Sequence, residues 1–406
     1  MESTCRLHRS PVGACKGTGC GGSEMLKYCI RCVMPHTRPN MHIDEEGVCG
    51  ACRSYEKRSE IDWDRRKHEL LSILEKHRSS GDNWDCIVPV SGGKDSTYQV
   101  IRMLQLGLNP LCVTSSPCDE TAVGRQNLQN LKSLGVDHVE FSPNPRVRAA
   151  LNRIGLVEVG DISWPEHVGI FTLPVRAAVQ YGVPLIVWGE NPQNEYGGPT
   201  LAAENTTLTR HWLDQFGGLL GLSVPELSIR HGLESRHLIP YQYPSDEALQ
   251  RIGVTGLFLG HYLPWDGLSN ALIAQANGFV SSAQVVEGSM VNYENLDNHQ
   301  SGIHDYFKYL KFGFSRVTDH ACLHVRRGRM TRLDAVEIVR AREGKFPWTY
   351  LGKPLSRILE PLEMSTDEFI EVCDRFTNRQ IFKCDDAGRP LKDAQGNLIK
   401  QALATL

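Results

Sequence analysis

The 406-residue sequence has no apolar run near the roughly 18 residues that a membrane-spanning helix requires. Its first residues also lack the apolar core of a secretory signal peptide. The formal charge is only −3, so the molecule as a whole offers no electrostatic case for binding nucleic acid. From these absences we expect a cytoplasmic protein that binds neither a membrane nor a nucleic acid.

Cysteine, by contrast, is plentiful. Thirteen cysteines in a cytoplasmic protein indicate metal ligation or buried thiols rather than disulfides. Two C-x-x-C pairs, Cys29 with Cys32 and Cys49 with Cys52, are separated by 16 residues. Each pair presents two thiolates from one tight turn, and four thiolates complete a tetrahedral zinc site that is closed to substrate. We therefore predict structural zinc; a redox C-x-x-C is the alternative, but redox motifs usually occur singly.

A glycine-rich loop follows the short apolar segment 86–90 and opens a helical stretch. Two glycines there let backbone N–H groups approach a phosphate, and the helix directs its positive dipole end to the same place. No glycine lies five residues before Gly93, so the longer loop of kinases and GTPases is excluded. The loop resembles the S-G-G-x-D-S loop of ATP pyrophosphatases. We predict that it binds ATP through Val90, Ser91, Gly92, Gly93, Lys94, Asp95 and Ser96.

Strand and helix patterns alternate from Trp84 onward. Predicted strands are 85–90, 109–114, 137–141 and 184–188, and predicted helices are 95–106, 121–134, 145–155 and 166–181. Such alternation predicts an α/β fold with a doubly wound parallel sheet, which binds ligands beyond the carboxyl ends of its strands. Thr114 and Gly189 lie at two of those ends and are expected to contact the nucleotide.

A polar run continues from the end of the fourth strand. It contains Glu190, Asn191, Glu195 and Tyr196. Its carboxylates suit Mg²⁺ held against phosphates, and its amides and tyrosine suit substrate binding. The alternative is a polar loop that only rims the sheet, but loops at strand ends carry function disproportionately.

The C-terminal part reads as helical over 302–346 and 364–378, with helix-capping signals at Thr331 and Ser365. Between residues 308 and 342 nine lysines and arginines face only three acids, which suits an anionic ligand or a solvated basic helix face. We predict four parts: a loose extension (1–24), a four-cysteine zinc module (25–60), a nucleotide domain (61–265) and a mainly helical substrate-binding region (266–406).

Several motifs together resemble a known family. They are Tyr28–Pro35, Cys49 with Cys52, the loop 91–96, Trp188–Pro192 with Glu195–Gly197, and the block from Lys308 to His320. Over roughly residues 27–346 the sequence resembles the N-acetyl sugar amidotransferases of bacterial surface-polysaccharide biosynthesis. The resemblance implies the adenine-nucleotide alpha-hydrolase-like fold of the PP-loop ATP pyrophosphatases. Ser315 departs from the pattern, because a glycine is expected there.

The resemblance implies a reaction. ATP adenylates the oxygen of an acetamido group, pyrophosphate leaves, and ammonia replaces AMP to give an acetamidino group. The implied roles are Mg²⁺ binding by Asp95 and Glu190, pyrophosphate binding by Lys94, and phosphate or diphosphate binding by Lys311 and Arg316. The implied substrate-binding residues are Asn191, Glu195, Tyr196, Lys308, Asp319 and His320. The general base, the sugar and its nucleotide carrier stay open.

Ammonia requires a source. Cys86, Cys112, Cys118 and Cys322 show no strand-to-helix elbow of a glutaminase nucleophile. We expect a separate glutaminase, and the resemblance implies a pair similar to the glutaminase and cyclase subunits of imidazole glycerol phosphate synthase. Two other functions stay open: an RNA-thiolating enzyme of the same fold, and a non-catalytic scaffold that binds zinc and a nucleotide.

Overall fold

Five short strands form one parallel sheet in the computed structural model, which describes residues 26–190, 222 and 224–401. The strands are β1 (Cys86–Pro89), β2 (Pro110–Ser115), β3 (Asp137–Phe141), β4 (Leu185–Trp188) and β5 (Thr255–Phe258). Their order is β3-β2-β1-β4-β5, and every neighbouring pair is parallel. The predicted fold class is confirmed, and each of the four predicted strands lies within one residue of its expected bounds.

The strand order places a switch point between β1 and β4. The chain first builds outward from β1 through β2 to β3, then crosses back and continues through β4 to β5. Crossovers from β1 and from β4 therefore leave in opposite directions and open a crevice at the carboxyl edge of the sheet. The glycine-rich loop follows β1 and lies at this crevice.

Helices cover both faces of the sheet. Between residues 61 and 265 they are α2 (Trp63–His77), α3 (Lys94–Gln105), α4 (Ala122–Lys132), α5 (Pro145–Val159), α6 (Trp164–Tyr181), α7 (Val224–His231), α8 (Asp246–Ile252) and α9 (Leu259–Tyr262). An apolar core joins one sheet face to α2 and α3, and a second core joins the other face to α6. Helix α6 contacts β1, β2 and β4 and carries two proline residues, Pro165 in its first turn and Pro174 in its interior.

The C-terminal helices have their own core. They are α10 (Gly267–Gln275), which packs on α3, followed by α11 (Ser301–Phe312), α12 (Arg316–Arg326), α13 (Arg332–Arg342), α14 (Leu355–Leu359) and α15 (Thr366–Phe376). Both predicted capping boxes are present: Thr331 pairs with Asp334 at the start of α13, and Ser365 pairs with Glu368 at the start of α15. A short hairpin of β6 (Thr349–Tyr350) and β7 (Lys353–Pro354) lies between α13 and α14.

The cysteine module packs against this C-terminal part. Its helix α1 (Gly50–Glu56) begins within the second C-x-x-C pair, and the module shares a core with Phe314, Val317 and Ala335. The apolar contacts join residues that lie far apart in the chain. Within the described ranges, no helix has the length and apolar character needed to cross a membrane.

Candidate active site

The glycine-rich loop turns sharply between β1 and α3. Gly92 has a φ of 78°, and a Cβ there would lie 2.8 Å from the backbone nitrogen of Leu128. Gly93 is the N-cap of α3 and has no side chain to cap it, so the N–H groups of the first turn point into the crevice uncapped. Ser96 donates a hydrogen bond to the carbonyl oxygen of Gly93. The local structure is an anion cradle of backbone donors and a helix dipole.

Lys94 is the buried cation of this cradle. Only 4% of the residue is exposed, and its ammonium contacts the carboxylates of Asp95 and, at 2.8 Å, Glu294. Burial opposes the charge of Lys94, but the two carboxylates outweigh burial and raise its pKa. Burial likewise opposes the charge of Glu294, and the nearby Lys94 ammonium holds the pKa of that carboxyl below its usual range. Asn270 at the other side donates to Asp95 at 2.9 Å.

The neighbouring strand ends complete the floor of the crevice. Thr114 donates a 2.7 Å hydrogen bond to the carbonyl oxygen of Val90, which fixes the loop to β2. Gly189 packs so closely that an added Cβ would lie 3.0 Å from the ring of Trp265. Glu190 is half-buried directly after Gly189. The predicted residues Asn191, Glu195 and Tyr196 lie outside the described residues.

Charged residues of the C-terminal helices close the crevice from above. Arg316 at the start of α12 forms a double ion pair with Asp305 of α11, with N–O distances of 2.9 and 3.0 Å. Arg316 also stabilises the charged form of Glu294, so it lies within electrostatic reach of the loop. Burial lowers the pKa of His320 to about 4, which leaves a neutral imidazole 3.7 Å from Glu294.

Lys308 and Asp319 form a second ion pair, in which Asp319 is buried and Lys308 is half-buried. Asp319 contacts the ammonium of Lys308 and, at 3.0 Å, the guanidinium of Arg38 from the cysteine module. Burial opposes the charge of Asp319, but Lys308 and Arg38 outweigh burial and hold its pKa below the usual range. Lys308, Asp319 and His320 therefore lie together with Arg316, and their roles toward a substrate stay predictions.

Lys311 stands apart from these groups. Its ammonium donates to the carbonyl oxygens of Val159 and Gly160, at 2.7 and 3.0 Å. Gly160 is the left-handed C-cap of α5, where exposed carbonyl oxygens attract a cation. No distance in the structure ties Lys311 to the loop, and its phosphate role stays a prediction.

Sequence reasoning missed several polar side chains that the fold gathers beside the crevice. Both amide atoms of Gln300, which is fully buried, lack a hydrogen-bond partner among the described residues. The same holds there for one carboxylate oxygen of Glu166, the amide oxygen of Asn152 and the hydroxyl of Tyr241. Buried polar atoms left in this way usually bind water or a ligand. Only Glu166 had a local signal in the sequence, because it lies in the polar run Asp161-Ile-Ser-Trp-Pro-Glu-His167 at the start of α6.

The four cysteines of the N-terminal module converge. Cys29 Sγ lies 3.9 Å from Cys52 Sγ, and Cys32 Sγ lies 3.7 Å from Cys49 Sγ. A zinc–sulfur distance of about 2.3 Å gives a tetrahedron with edges of about 3.8 Å, so the cluster has the size of a zinc–thiolate centre. All four side chains are buried, and Arg332 donates to the carbonyl oxygens of Cys29 and Cys32. The donor set and its closure fit a structural zinc ion.

One family model matches the C-terminal part. Residues 287–395 match the model described as "LPS biosynthesis protein WbpG-like, C-terminal domain". This segment supplies Glu294, Asp305, Arg316 and Asp319, and so forms the upper wall of the crevice. The match agrees with the resemblance to surface-polysaccharide enzymes drawn from the sequence. A search of curated proteins found no match.

Solved structures that align with the chain include the NMN synthetase from Francisella tularensis, an NH3-dependent NAD synthetase from Campylobacter jejuni and the NAD+ synthetase from Burkholderia pseudomallei. Their sequence identities are 13%, 10% and 14%, and their TM-scores are 0.25, 0.27 and 0.24. The alignments cover 55%, 55% and 56% of this chain and 99%, 100% and 87% of those chains. TM-scores of this size carry no argument, and the fold assignment rests on the strand order itself.

Proposed function

We propose that this chain is an ATP-dependent amidotransferase of lipopolysaccharide synthesis, which converts the acetamido group of a sugar to an acetamidino group and releases AMP and pyrophosphate. The main observation behind this proposal is the ion pair between Lys94 of the glycine-rich loop and Glu294, which lies in the segment that matches the lipopolysaccharide family. The glycine-rich loop and the segment that matches the lipopolysaccharide family therefore line the same crevice. This arrangement supports transfer of AMP from ATP to a substituent of a sugar.

The residues of the loop have a clear task in this reaction. An amide oxygen is a poor leaving group, and adenylation makes it a good one. The uncapped N–H groups of α3 and the Lys94 ammonium would bind the pyrophosphate as its charge grows. Burial strengthens these contacts, because water does not screen them. Catalysis then rests on positioning and on neutralised phosphate charge.

Magnesium would assist at the same place. Asp95 and Glu190 are the acids that would hold it against the phosphates; about a third of the Asp95 side chain is exposed, and Glu190 is half-buried. Bound there, the ion would neutralise phosphate charge and align the nucleotide. The ion pair of Asp95 with Lys94 and the hydrogen bond that Asn270 donates to it hold the carboxylate in place for that role.

The sugar would bind toward the C-terminal helices. Arg316 presents a planar guanidinium held by Asp305, and guanidinium groups bind diphosphates well. His320 stays neutral and offers one buried nitrogen, Nε2, with no hydrogen-bond partner among the described residues. These groups suit a nucleotide-linked acetamido sugar, and Lys308 and Asp319 would hold this wall in place.

RNA thiolation is the second function open to this fold, and the placement of the basic residues bears on it. Much of the positive charge between 308 and 342 is used inside the protein: Arg327 and Arg329 pair with Asp266, and Arg332 binds backbone carbonyls of the cysteine module. Arg340 and Arg342 are exposed. Because several of these cations are engaged within the protein, the arrangement favours a small anionic substrate over an RNA backbone.

The nucleotide products test the proposal. Purified protein with ATP, Mg²⁺, ammonium and a panel of acetamido sugar nucleotides should release AMP and pyrophosphate only with the correct sugar. Mass spectrometry should find a product lighter by the difference between O and NH. Release of ADP and phosphate, or AMP formation that depends on tRNA and a sulfur donor, would contradict it.

A further inference from the structure

One buried carboxylate holds two histidine rings beside the crevice. Asp161 Oδ1 lies 2.8 Å from His304 Nδ1, and Asp161 Oδ2 lies 3.1 Å from His167 Nδ1. The rings meet edge to face with centroids 4.9 Å apart. The Asp161 side chain is 7% exposed, whereas the two histidine side chains are 30% and 33% exposed. Asp161 therefore occupies both Nδ1 atoms and leaves each Nε2 as the nitrogen that a ligand can reach.

The distances are those of hydrogen bonds and not of a metal centre. Nitrogen and oxygen ligands of a tetrahedral zinc ion lie about 3.3 Å apart. Both separations from Asp161 are shorter than that and fall in the range of ordinary N–H···O hydrogen bonds. A carboxylate that holds Nδ1–H fixes the tautomer and stabilises the ring when Nε2 takes up a proton.

The cluster lies at the functional edge of the sheet. His167 is in the first turns of α6, and a Cβ on Gly169 of that helix would lie 2.6 Å from the hydroxyl of Ser115, the last residue of β2. Strand β2 adjoins β1, whose carboxyl end carries the phosphate loop. His304 is on α11, one residue before Asp305, the partner of Arg316. Both rings therefore flank the guanidinium proposed to bind a phosphate.

The charges around the pair are mixed. Asp161 and Glu166 face His167 from the negative side, and Arg316 faces it from the positive side. Asp305 and Asp161 face His304, and Lys311 lies within electrostatic reach of Asp161. Burial opposes the charge of His167, but Asp161 outweighs burial and raises the pKa of the imidazole. The site thus favours the protonated state of a ring that has accepted a proton.

We propose that His167 and His304, held by Asp161, accept the proton that the attacking ammonia must lose in the amidine-forming step. The inference rests on the proposed function. The ammonia nitrogen gives its lone pair to the imidate carbon, and the bond from that carbon to the AMP oxygen breaks. AMP leaves with the electron pair of that bond. The imidate nitrogen keeps the amide proton through adenylation, so the intermediate that ammonia attacks is cationic. One proton of the newly bound nitrogen then passes to Nε2 of a histidine, and the product is the amidinium.

Separate assays of adenylation and of amidine formation distinguish a proton acceptor in the second step from a residue that both steps need. Sugar-dependent exchange of labelled pyrophosphate into ATP reports adenylation, and amidine formation from ammonium reports the second step. His167→Asn, His304→Asn and the double variant keep a side chain that can hydrogen-bond to Asp161 but cannot titrate. We expect exchange to stay within about twofold of the wild type while amidine formation falls about 10²-fold or more, with partial rescue by added imidazole.

A matched control is His231→Asn. His231 also binds a carboxylate, Glu158, at 2.8 Å and is 28% exposed, but it belongs to α7. This variant should leave both half-reactions unchanged. Equal loss of exchange and amidination in the double variant, or full amidination, would overturn the proton-acceptor role. A second metal ion per chain that disappears in the variants would overturn it too.

The wild-type enzyme gives a second measurement should the variants not fold. With hydroxylamine at a constant concentration of its unprotonated form, the rate of hydroxyamidine formation should fall on the acid side while exchange stays flat. Parallel pH profiles for both reactions would contradict the inference. Absence of any sugar-dependent exchange in the wild type would instead contradict the proposed function, so the two failures are distinguishable.

Discussion

Gly92 sets the shape of the phosphate loop at the scale of a single residue. Its positive φ costs an L-residue roughly 1–2 kcal/mol, and its missing Cβ leaves room for the Leu128 backbone. We expect Gly92→Ala to lower the rate of pyrophosphate exchange by about 10²-fold, since the loop must move to relieve the contact. Kinetic assays of the purified variant check this.

Gly107→Ala is the control for the loop variant. Gly107 has a φ of 73°, close to that of Gly92, but an added Cβ meets nothing within 4 Å. Both variants should lose similar stability from backbone strain, and only Gly92→Ala should lose exchange. Equal exchange in the two variants would remove the steric explanation.

The Lys94–Glu294 pair gives a second prediction at this scale. Lys94→Met leaves the buried Glu294 carboxylate without its closest cation, which should cost about 3–5 kcal/mol of unfolding free energy. The double variant Lys94→Met with Glu294→Gln should recover part of that stability, because the uncompensated charge is gone. Chemical denaturation measures the stability, and exchange should stay low in both variants. A double variant no more stable than Lys94→Met would contradict the buried-charge argument.

At the scale of elements, Asp319 of α12 joins the cysteine module to α11 through Arg38 and Lys308. Asp319→Asn should destabilise the fold by about 3–5 kcal/mol at neutral pH. The folded pKa of Asp319 is lowered, so its contribution is present above the unfolded value of about 3.9 and is lost as the pH falls through the folded pKa. The stability gap between wild type and variant should therefore shrink in acid.

An exposed ion pair serves as the control for Asp319. Arg357 and Glu360 are 68% and 65% exposed, and Glu360→Gln should change stability by no more than about 0.5 kcal/mol at any pH. Denaturation curves at neutral and acid pH compare the two variants. If the difference in unfolding free energy between wild type and Asp319→Asn did not become smaller in acid, the lowered pKa of Asp319 would not explain its contribution to stability.

The cysteine module gives the zinc prediction. Metal analysis should find about one zinc per chain, and the Cys29→Ser variant should be insoluble or unfolded, because a closed thiolate site contributes directly to folding. The module shares its core with α12 and α13, so chelation of zinc should also loosen those helices in hydrogen exchange. Full zinc content after replacement of all four cysteines would refute the assignment.

Regular elements could be predicted because their signals are local. Apolar periodicity placed β1 to β4 within a residue, and the Thr331 and Ser365 caps are confirmed by their hydrogen bonds. Contacts between distant residues carry no such signal. Glu294 meets Lys94 across 200 positions (294 − 94), and His304 meets Asp161 across 143. Lys311 is a further example, since the contact of its ammonium with the carbonyl end of α5 had no local signal, and the phosphate role that the resemblance implies for it stays a prediction.

At the scale of the whole molecule, the sequence predicts no glutaminase nucleophile. We therefore propose that a separate glutaminase supplies the ammonia. The isolated chain should form amidine with high ammonium and stay nearly inactive with glutamine. Adding the partner glutaminase should restore glutamine use, because ammonia delivered directly arrives unprotonated and at high effective concentration. Transfer of ¹⁵N from amide-labelled glutamine to the amidine without the partner would contradict this prediction.

The long separation between Lys94 and Glu294 also orders events during synthesis. A ribosome adds about 5–20 residues per second, so the loop emerges tens of seconds before its partner carboxylate. During that interval the nascent chain carries a lysine whose later burial depends on residues not yet translated. Ribosome-stalled chains that end before residue 287 should accordingly bind ATP less tightly than released full-length protein, because the crevice then lacks its C-terminal wall. Full nucleotide affinity would then appear only after Glu294 has been translated, although the loop lies 200 positions earlier (294 − 94).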